Sequence, residues 1–139
     1  MRAETREPER MHSTWRSDRG SAAAEFVLVG TLLTVTTLSV LQLGLALFVR
    51  NTVLDAASEG ARFGALVGNT PSDGAQRAAD LITTALGPSY ANDVTGAVGE
   101  FLGAPSAVVT VRAPLPLIGL IGLDDGIEVS GHAALETLG

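Results

Sequence analysis

The sequence predicts an α+β protein: one long apolar helix running into a small domain with a second helix and a roughly three-stranded antiparallel sheet. Three observations predict it. Residues 26–49 hold twenty-four positions without a charge. Residues 75–86 repeat their apolar side chains at helical spacing behind a Thr-Pro start signal. Three later stretches rich in β-branched residues alternate with Gly/Pro clusters, the pattern of short strands.

The apolar run FVLVGTLLTVTTLSVLQLGLALFV is bounded by Glu25 and Arg50. A membrane-crossing helix needs about 20 mostly apolar residues, because the rise is about 1.5 Å per residue and the hydrocarbon core about 30 Å thick. This run is long enough, and no other stretch is. A small soluble domain could not wrap such a helix on every side, so the reading is a single-pass membrane protein. An exported protein would lose a signal peptide with an apolar region of about 7–15 residues and an A-x-A-like cleavage site. Here the run is too long, and Arg50-Asn51-Thr52 follows it, so the helix is expected to stay.

Composition narrows what surrounds the helix. The chain has 139 residues, no cysteine, and a formal net charge of −6. Disulfides, thiol catalysis and CxxC metal sites are therefore excluded. All nine basic residues are arginine, five of them (Arg2, Arg6, Arg10, Arg16, Arg19) in the first twenty positions. From Arg50 onward four arginines face ten acids, a balance that argues against nucleic-acid binding. Arg16 and Arg19 before the run outweigh Arg50 and Arg62 after it, which favours a cytoplasmic N-terminus and an extracytoplasmic C-terminal domain.

Residues 1–20 are polar and nearly free of aliphatic side chains, a leader rather than a folded element. At its end stands Arg19-Gly20-Ser21-Ala22-Ala23-Ala24-Glu25-Phe26. This octet resembles the processing site of type IV prepilins: a basic leader, a glycine, four residues, a glutamate, an aromatic, then the apolar helix. The resemblance implies that a prepilin peptidase cuts between Gly20 and Ser21, removing residues 1–20. Glu25 and Phe26 would then head the helix, and Glu25 would help subunits enter a filament. A carboxylate inside a bilayer costs about 2.5–3.5 kcal/mol at mid-helix and less near an end. It persists where it finds a partner, and the α-amine freed on an adjacent subunit is one.

No proline interrupts residues 21–69, so the helix is expected to continue past the membrane to about residue 68. Val53, Ala57, Ala61 and Ala65 recur every four residues, while Asp55, Ser58, Glu59 and Arg62 take a wetter side. Glu59 and Arg62 are close enough in sequence to pair. Gly60, Gly64 and Gly68 also recur every four residues. Each costs a helix up to about 1 kcal/mol against alanine, which points either to close approach of another backbone or to a fraying end with a cap at Gly68. Arg50-Asn51 followed by Ala56-Ala57-Ser58-Glu59-Gly60-Ala61-Arg62-Phe63 resembles the segment after the membrane helix in TadE-like proteins, the small pilin-like proteins of tight-adherence (Tad) pilus systems. With the octet, this resemblance covers residues 20–66, and it turns the α+β reading into a pilin-like one.

Beyond it, Thr70-Pro71-Ser72-Asp73 reads as a capped helix start, with Ala75, Ala78, Ala79, Ile82, Ala85 and Leu86 as the apolar face and Gly87-Pro88 as the stop. Residues 93–101 form a short strand, 103–106 turn material, 107–113 the best strand with Arg112 outward, and 127–135 another alternating strand. The domains expected are thus a leader (1–20), a long helix (21–68) containing the span 26–49, and a small extracytoplasmic domain (69–139). The connection at 114–123 is unusually apolar but too short to span; it is expected to pack on the domain, lie on the bilayer or meet another subunit.

Catalytic chemistry finds no residues to carry it. His132 is the lone histidine of the domain, so triads and multi-histidine metal sites lack their members. Asp124-Asp125-Gly126 with Glu128 lacks EF-hand spacing and reads as a turn. No P-loop, GxGxxG or GxSxG motif occurs. No enzyme activity, cofactor or metal is expected. The resemblance implies a minor pilin or pseudopilin that takes part in assembling a Tad-type pilus for adhesion or secretion. Its partners would be the cytoplasmic membrane, prepilin peptidase, other pilins and the Tad assembly machinery, with a surface pilus as its end point. The alternative is a static single-pass anchor that presents a small extracytoplasmic binding domain.

Overall fold

A helix of fifty-one residues, α1 (Trp15–Ala65), carries the chain out of its N-terminal region. The computed structural model describes residues 15–115 and 126–137, with side chains described from Gly20 onward. The leader before residue 15, the apolar connection from residue 116, and Asp124 and Asp125 lie outside the described residues. By internal contacts the chain divides into two units, Met1–Val40 and Leu41–Gly139.

In the first unit α1 begins six residues ahead of Ser21, since neither a proline nor a capping turn interrupts residues 15–21. Its apolar side chains are open to the surroundings, Phe26 being 81% exposed. Four hydroxyls among them are satisfied by the helix itself. Thr31, Thr34 and Thr36 donate at 2.8 Å to the carbonyls of Val27, Gly30 and Leu32, and Ser39 does the same to Val35. A hydroxyl satisfied by its own helix can face lipid at little cost. The most apolar window of α1 has mean hydropathy 2.1 and is only 6% buried. A core helix of a soluble protein would be covered there, so length, composition and exposure agree on a candidate membrane span.

The second unit holds the last turns of α1, a second helix α2 (Pro71–Leu86), a 3₁₀ turn (Pro88–Tyr90), and strands β1 (Asp93–Phe101), β2 (Ala104–Ala113) and β3 (Ile127–Ala134). The sheet is antiparallel in the order β1-β2-β3, with Val109 opposite Gly96 on one side and Gly131 on the other. One face is covered by the helices. Val109, Val111 and Ala113 of β2 and Val129 of β3 are buried in one cluster with Val53, Ala57 and Ala61 of α1 and Ala78 and Ile82 of α2. This is the α+β arrangement that the patterning predicts.

The core is thin because most of its members are alanine and valine, so backbones approach closely. Gly131 of β3 lies against the Ala57 carbonyl, and Gly96 of β1 against the Pro71 carbonyl; a Cβ at either site would collide with backbone. Sequence patterning places the Val53, Ala57, Ala61, Ala65 row correctly, and all four are buried.

Two local boundaries differ from expectation. Helix α1 ends at Ala65, with Asn69 Nδ2 donating to the Phe63 carbonyl at 2.8 Å and closing the turn. Residues 104–106, expected as turn material, belong to β2. The β1–β2 turn is only Leu102-Gly103, with φ of 54° and 80°. Two positive-φ residues give the hairpin twist that matches the strands, so the ladder resumes at Ala104. Pro105 is tolerated near the strand start, where its carbonyl accepts from Leu135 N at 3.0 Å.

Candidate functional site

The residues expected to direct processing and assembly all lie on the first unit's stretch of α1. Gly20, Ser21, Glu25 and Phe26 are exposed and helical. Space is open where a Gly20 Cβ would stand. Packing among the described residues therefore does not require the glycine, although a helix loses up to about 1 kcal/mol by keeping it. Glu25 has no ion pair among the described residues, whose two pairs both belong to Arg112. Beside it, Ala23, Ala24, Val27, Leu28, Thr31 and Val35 line an open apolar flank. Glu25 thus stands, without an ion pair among the described residues, at the head of an uncovered apolar flank.

The glycine series beyond the apolar run separates into two kinds. A Cβ on Gly60 would stand 2.5 Å from the Gly74 carbonyl oxygen and 2.9 Å from Ala78 Cβ. One on Gly64 would stand 2.9 Å from the Thr70 oxygen. These two residues let α2 cross α1 backbone against backbone, and Gly74 supplies the matching gap from α2, against the Gly60 carbonyl. Gly68 is different. It follows the helix end at φ 89° with nothing near its missing side chain, so its role is the turn and not the crossing. Gly74, Gly96 and Gly131 escaped sequence reasoning. The one available signal was that Gly74 continues the Ala78, Ile82 face of α2 at four-residue spacing.

Helix α2 is fixed at its start by a reciprocal cap. Thr70 N and Thr70 Oγ1 donate to Asp73 Oδ2 at 2.8 and 2.6 Å, and Asp73 N donates to Thr70 Oγ1 at 3.2 Å. The side-chain and backbone hydrogen bonds from Thr70 hold the Asp73 carboxyl below its ordinary value. On the sheet face away from the helices, Arg112 Nε donates to Glu128 Oε2 at 2.7 Å, and its guanidinium lies 3.5 Å from Asp93. The Glu128 hydrogen bond, then the charges of Glu128 and Asp93, raise the Arg112 pKa. On the same face His132 stacks on Phe101 at 4.7 Å and 11°. It thus sits on a strand face, as its pattern predicts.

Glu59 and Arg62, though correctly spaced, form no ion pair. Among the described residues there is no group of three or more acidic or histidine side chains able to hold a metal ion. Between α1 and α2 a groove of about 270 Å³ is lined by Ala56, Leu81 and Ala85 together with Thr52, Asp55 and Glu59. Gln42, on α1 within the second unit, keeps a buried Oε1 without a hydrogen-bond partner.

Residues 20–62 match the family model described as TadE-like protein. The match contains the octet from Gly20, the whole apolar run and the Arg50-Asn51 and Glu59-Gly60-Ala61-Arg62 segment. Comparison with curated proteins and with solved structures finds no match.

Proposed function

We propose that this chain, TadE-like over residues 20–62, works as a minor pilin or pseudopilin that takes part in assembling a Tad-type pilus for adhesion or secretion. The observation that carries the reading is α1 itself. An apolar flank stays uncovered along the helix, and Glu25, with no ion pair among the described residues, stands at its head. In lipid such a flank is already satisfied. Exchanging lipid for the helices of neighbouring subunits changes little apolar exposure, and packing and polar contacts decide the balance. A subunit can therefore leave the bilayer if its neighbours cover the same surface.

The steps follow from the residues. The leader arginines hold the N-terminus in the cytoplasm, and residues 26–49 span the membrane once. Prepilin peptidase cuts after Gly20, and the new α-amine of Ser21 is protonated near neutral pH. Glu25 of the incoming subunit pairs with the amine of its neighbour and sets the depth at which the helices align. The extracytoplasmic domain stays on the outer side, held to its own helix by the glycine crossing. In this role the Tad assembly machinery and other pilins are the partners.

Mass spectrometry of the membrane-extracted protein tests the reading. The mature chain should begin at Ser21, and Gly20→Ala should leave the leader attached. An intact leader in cells with active prepilin peptidase would overturn the proposal and leave a static single-pass anchor in its place.

A further inference from the structure

Every residue of α1 from Gly20 to Leu41 is exposed, and Ala23 and Ala24 show that even an alanine on the bare helix stays open. The pattern changes in the last turns of the apolar run. Gln42 and Ala46 are half-buried and Val49 is buried, whereas Leu43, Leu45, Leu47 and Phe48 among them remain exposed. Positions 42, 46 and 49 share one helix face, so that face alone is covered. Gln42 Oε1 is itself buried and has no hydrogen-bond partner among the described residues. Leu41 to Val49 belong to the second unit, so the cover belongs to that unit too.

The register of β3 identifies the covering segment. Glu136 N donates to the Ala65 carbonyl and Gly131 lies against the Ala57 carbonyl, so β3 runs beside α1 in the same direction. Ile127 precedes Gly131 by about 13 Å of strand, a length that about nine helical residues match. It therefore stands level with Phe48 and Val49, where the apolar run ends. Val49 and Ala113 share one buried cluster, on which Ile127 packs. The two limbs close just beyond, with Gly126 against Pro114 and the Leu115 amide. Residues 116–125 join them: eight without a charge, five of these leucine or isoleucine, then Asp124 and Asp125. Doubled back on itself, the apolar stretch reaches about 13 Å past the limbs, and Gln42 lies about 10 Å past Val49.

We propose that residues 116–123 enter the bilayer beside α1 and cover the face of Gln42 and Ala46, with the Gln42 carboxamide as their backbone partner. The chemistry is complementary. Irregular backbone at membrane depth is tolerated where protein buries it and satisfies its hydrogen bonds. The Gln42 carboxamide offers an acceptor and two donors, and left unpartnered in an apolar run it is costly. The aliphatic side chains of the connection need no water. Asp124 and Asp125 adjoin Gly126, at the level where the run gives way to Arg50 and to the headgroup region. The inference rests on the membrane reading of residues 26–49 and needs neither leader cleavage nor filament entry.

The chain has no cysteine and one tryptophan, Trp15, which suits it to cross-linking and fluorescence. Full-length protein carrying Ala46→Cys with Ile121→Cys is oxidised in membranes, and the intrachain product is read on gels. It should exceed, several-fold, the product of Gly44→Cys with Ile121→Cys, since Gly44 is exposed on the opposite face. Adding Gln42→Leu should lower the 46–121 product about threefold, the factor that a hydrogen bond between membrane helices is worth. In a Trp15→Phe chain in vesicles, Ile121→Trp should be quenched by brominated lipid, as Leu33→Trp within the span is. The proposal is overturned if the 46–121 product only equals the Gly44 control, forms between chains instead of within one, or is unchanged by Gln42→Leu. It is overturned equally if Ile121→Trp escapes a quencher that reaches Leu33→Trp. Escape of Leu33→Trp itself sinks the membrane reading, and this contact with it.

Discussion

Gly60, Gly64 and Gly68 share one spacing in the sequence but answer to different forces. At Gly60 a methyl group would meet the Gly74 carbonyl and Ala78, both of which belong to packed backbone or short side chains that cannot swing away. Overpacking of this kind costs about 1–3 kcal/mol, against a gain of up to about 1 kcal/mol in helix propensity. Gly60→Ala is therefore expected to destabilise the second unit by about 1–2 kcal/mol, read as a lower midpoint in denaturant melts of the full chain in micelles. Gly44→Ala, where space is open, is the control and should leave the midpoint equal or higher. The sequence period marked the first partner of the crossing. It could not mark Gly74, because a close approach is a property of two segments, and only the fold brings this pair together.

At the scale of elements, α2 and the β1–β2 hairpin contrast. The start of α2 was legible down to its cap, since Thr70, Pro71 and Asp73 act within four residues of one another. The folded Asp73 carboxyl titrates below its unfolded value of about 3.9. Its contribution is therefore complete above that value and is lost as pH falls through the folded pKa. Melts of the full chain from neutral pH down to about pH 3 should show α2 weakening at the acid end. Asp73→Asn should remove this acid-dependent loss; an unchanged pH profile in that variant would count against the assignment. The hairpin was legible only in part. Gly103-Ala104-Pro105-Ser106 has the composition of a loop, yet three of the four residues pair in β2. Cross-strand pairing with 99–101 and the Leu135–Pro105 hydrogen bond outweighed local turn preference.

For the whole molecule, the decisive contrast is between an uncovered helix in one unit and a small alanine-rich core in the other. Each unit is built for a different surrounding. The first exposes the apolar flank of a candidate membrane span; the second holds itself together by close backbone contact. Glu25→Ala tests the first role without disturbing the second. The variant should insert and melt like the parent, because Glu25 makes no ion pair among the described residues. Its incorporation into pili, measured by immunoblotting of sheared surface fractions, should fall sharply. Normal incorporation would remove Glu25 from the assembly mechanism.

The sequence by itself determined the α+β class, the candidate span, the second helix with its cap, and the buried row of α1. Each of these rests on interactions within one or two turns, or on the bulk cost of placing apolar side chains in water. Tertiary structure alone decided which backbones touch: Gly60 on Gly74, Ala57 over Gly131, Pro71 over Gly96. It also chose the two partners of Arg112, the stacking of His132 on Phe101, and the strained exposure of Leu102. Those choices follow from which faces meet when α1 and α2 lie on one sheet, a condition that no short stretch of chain encodes.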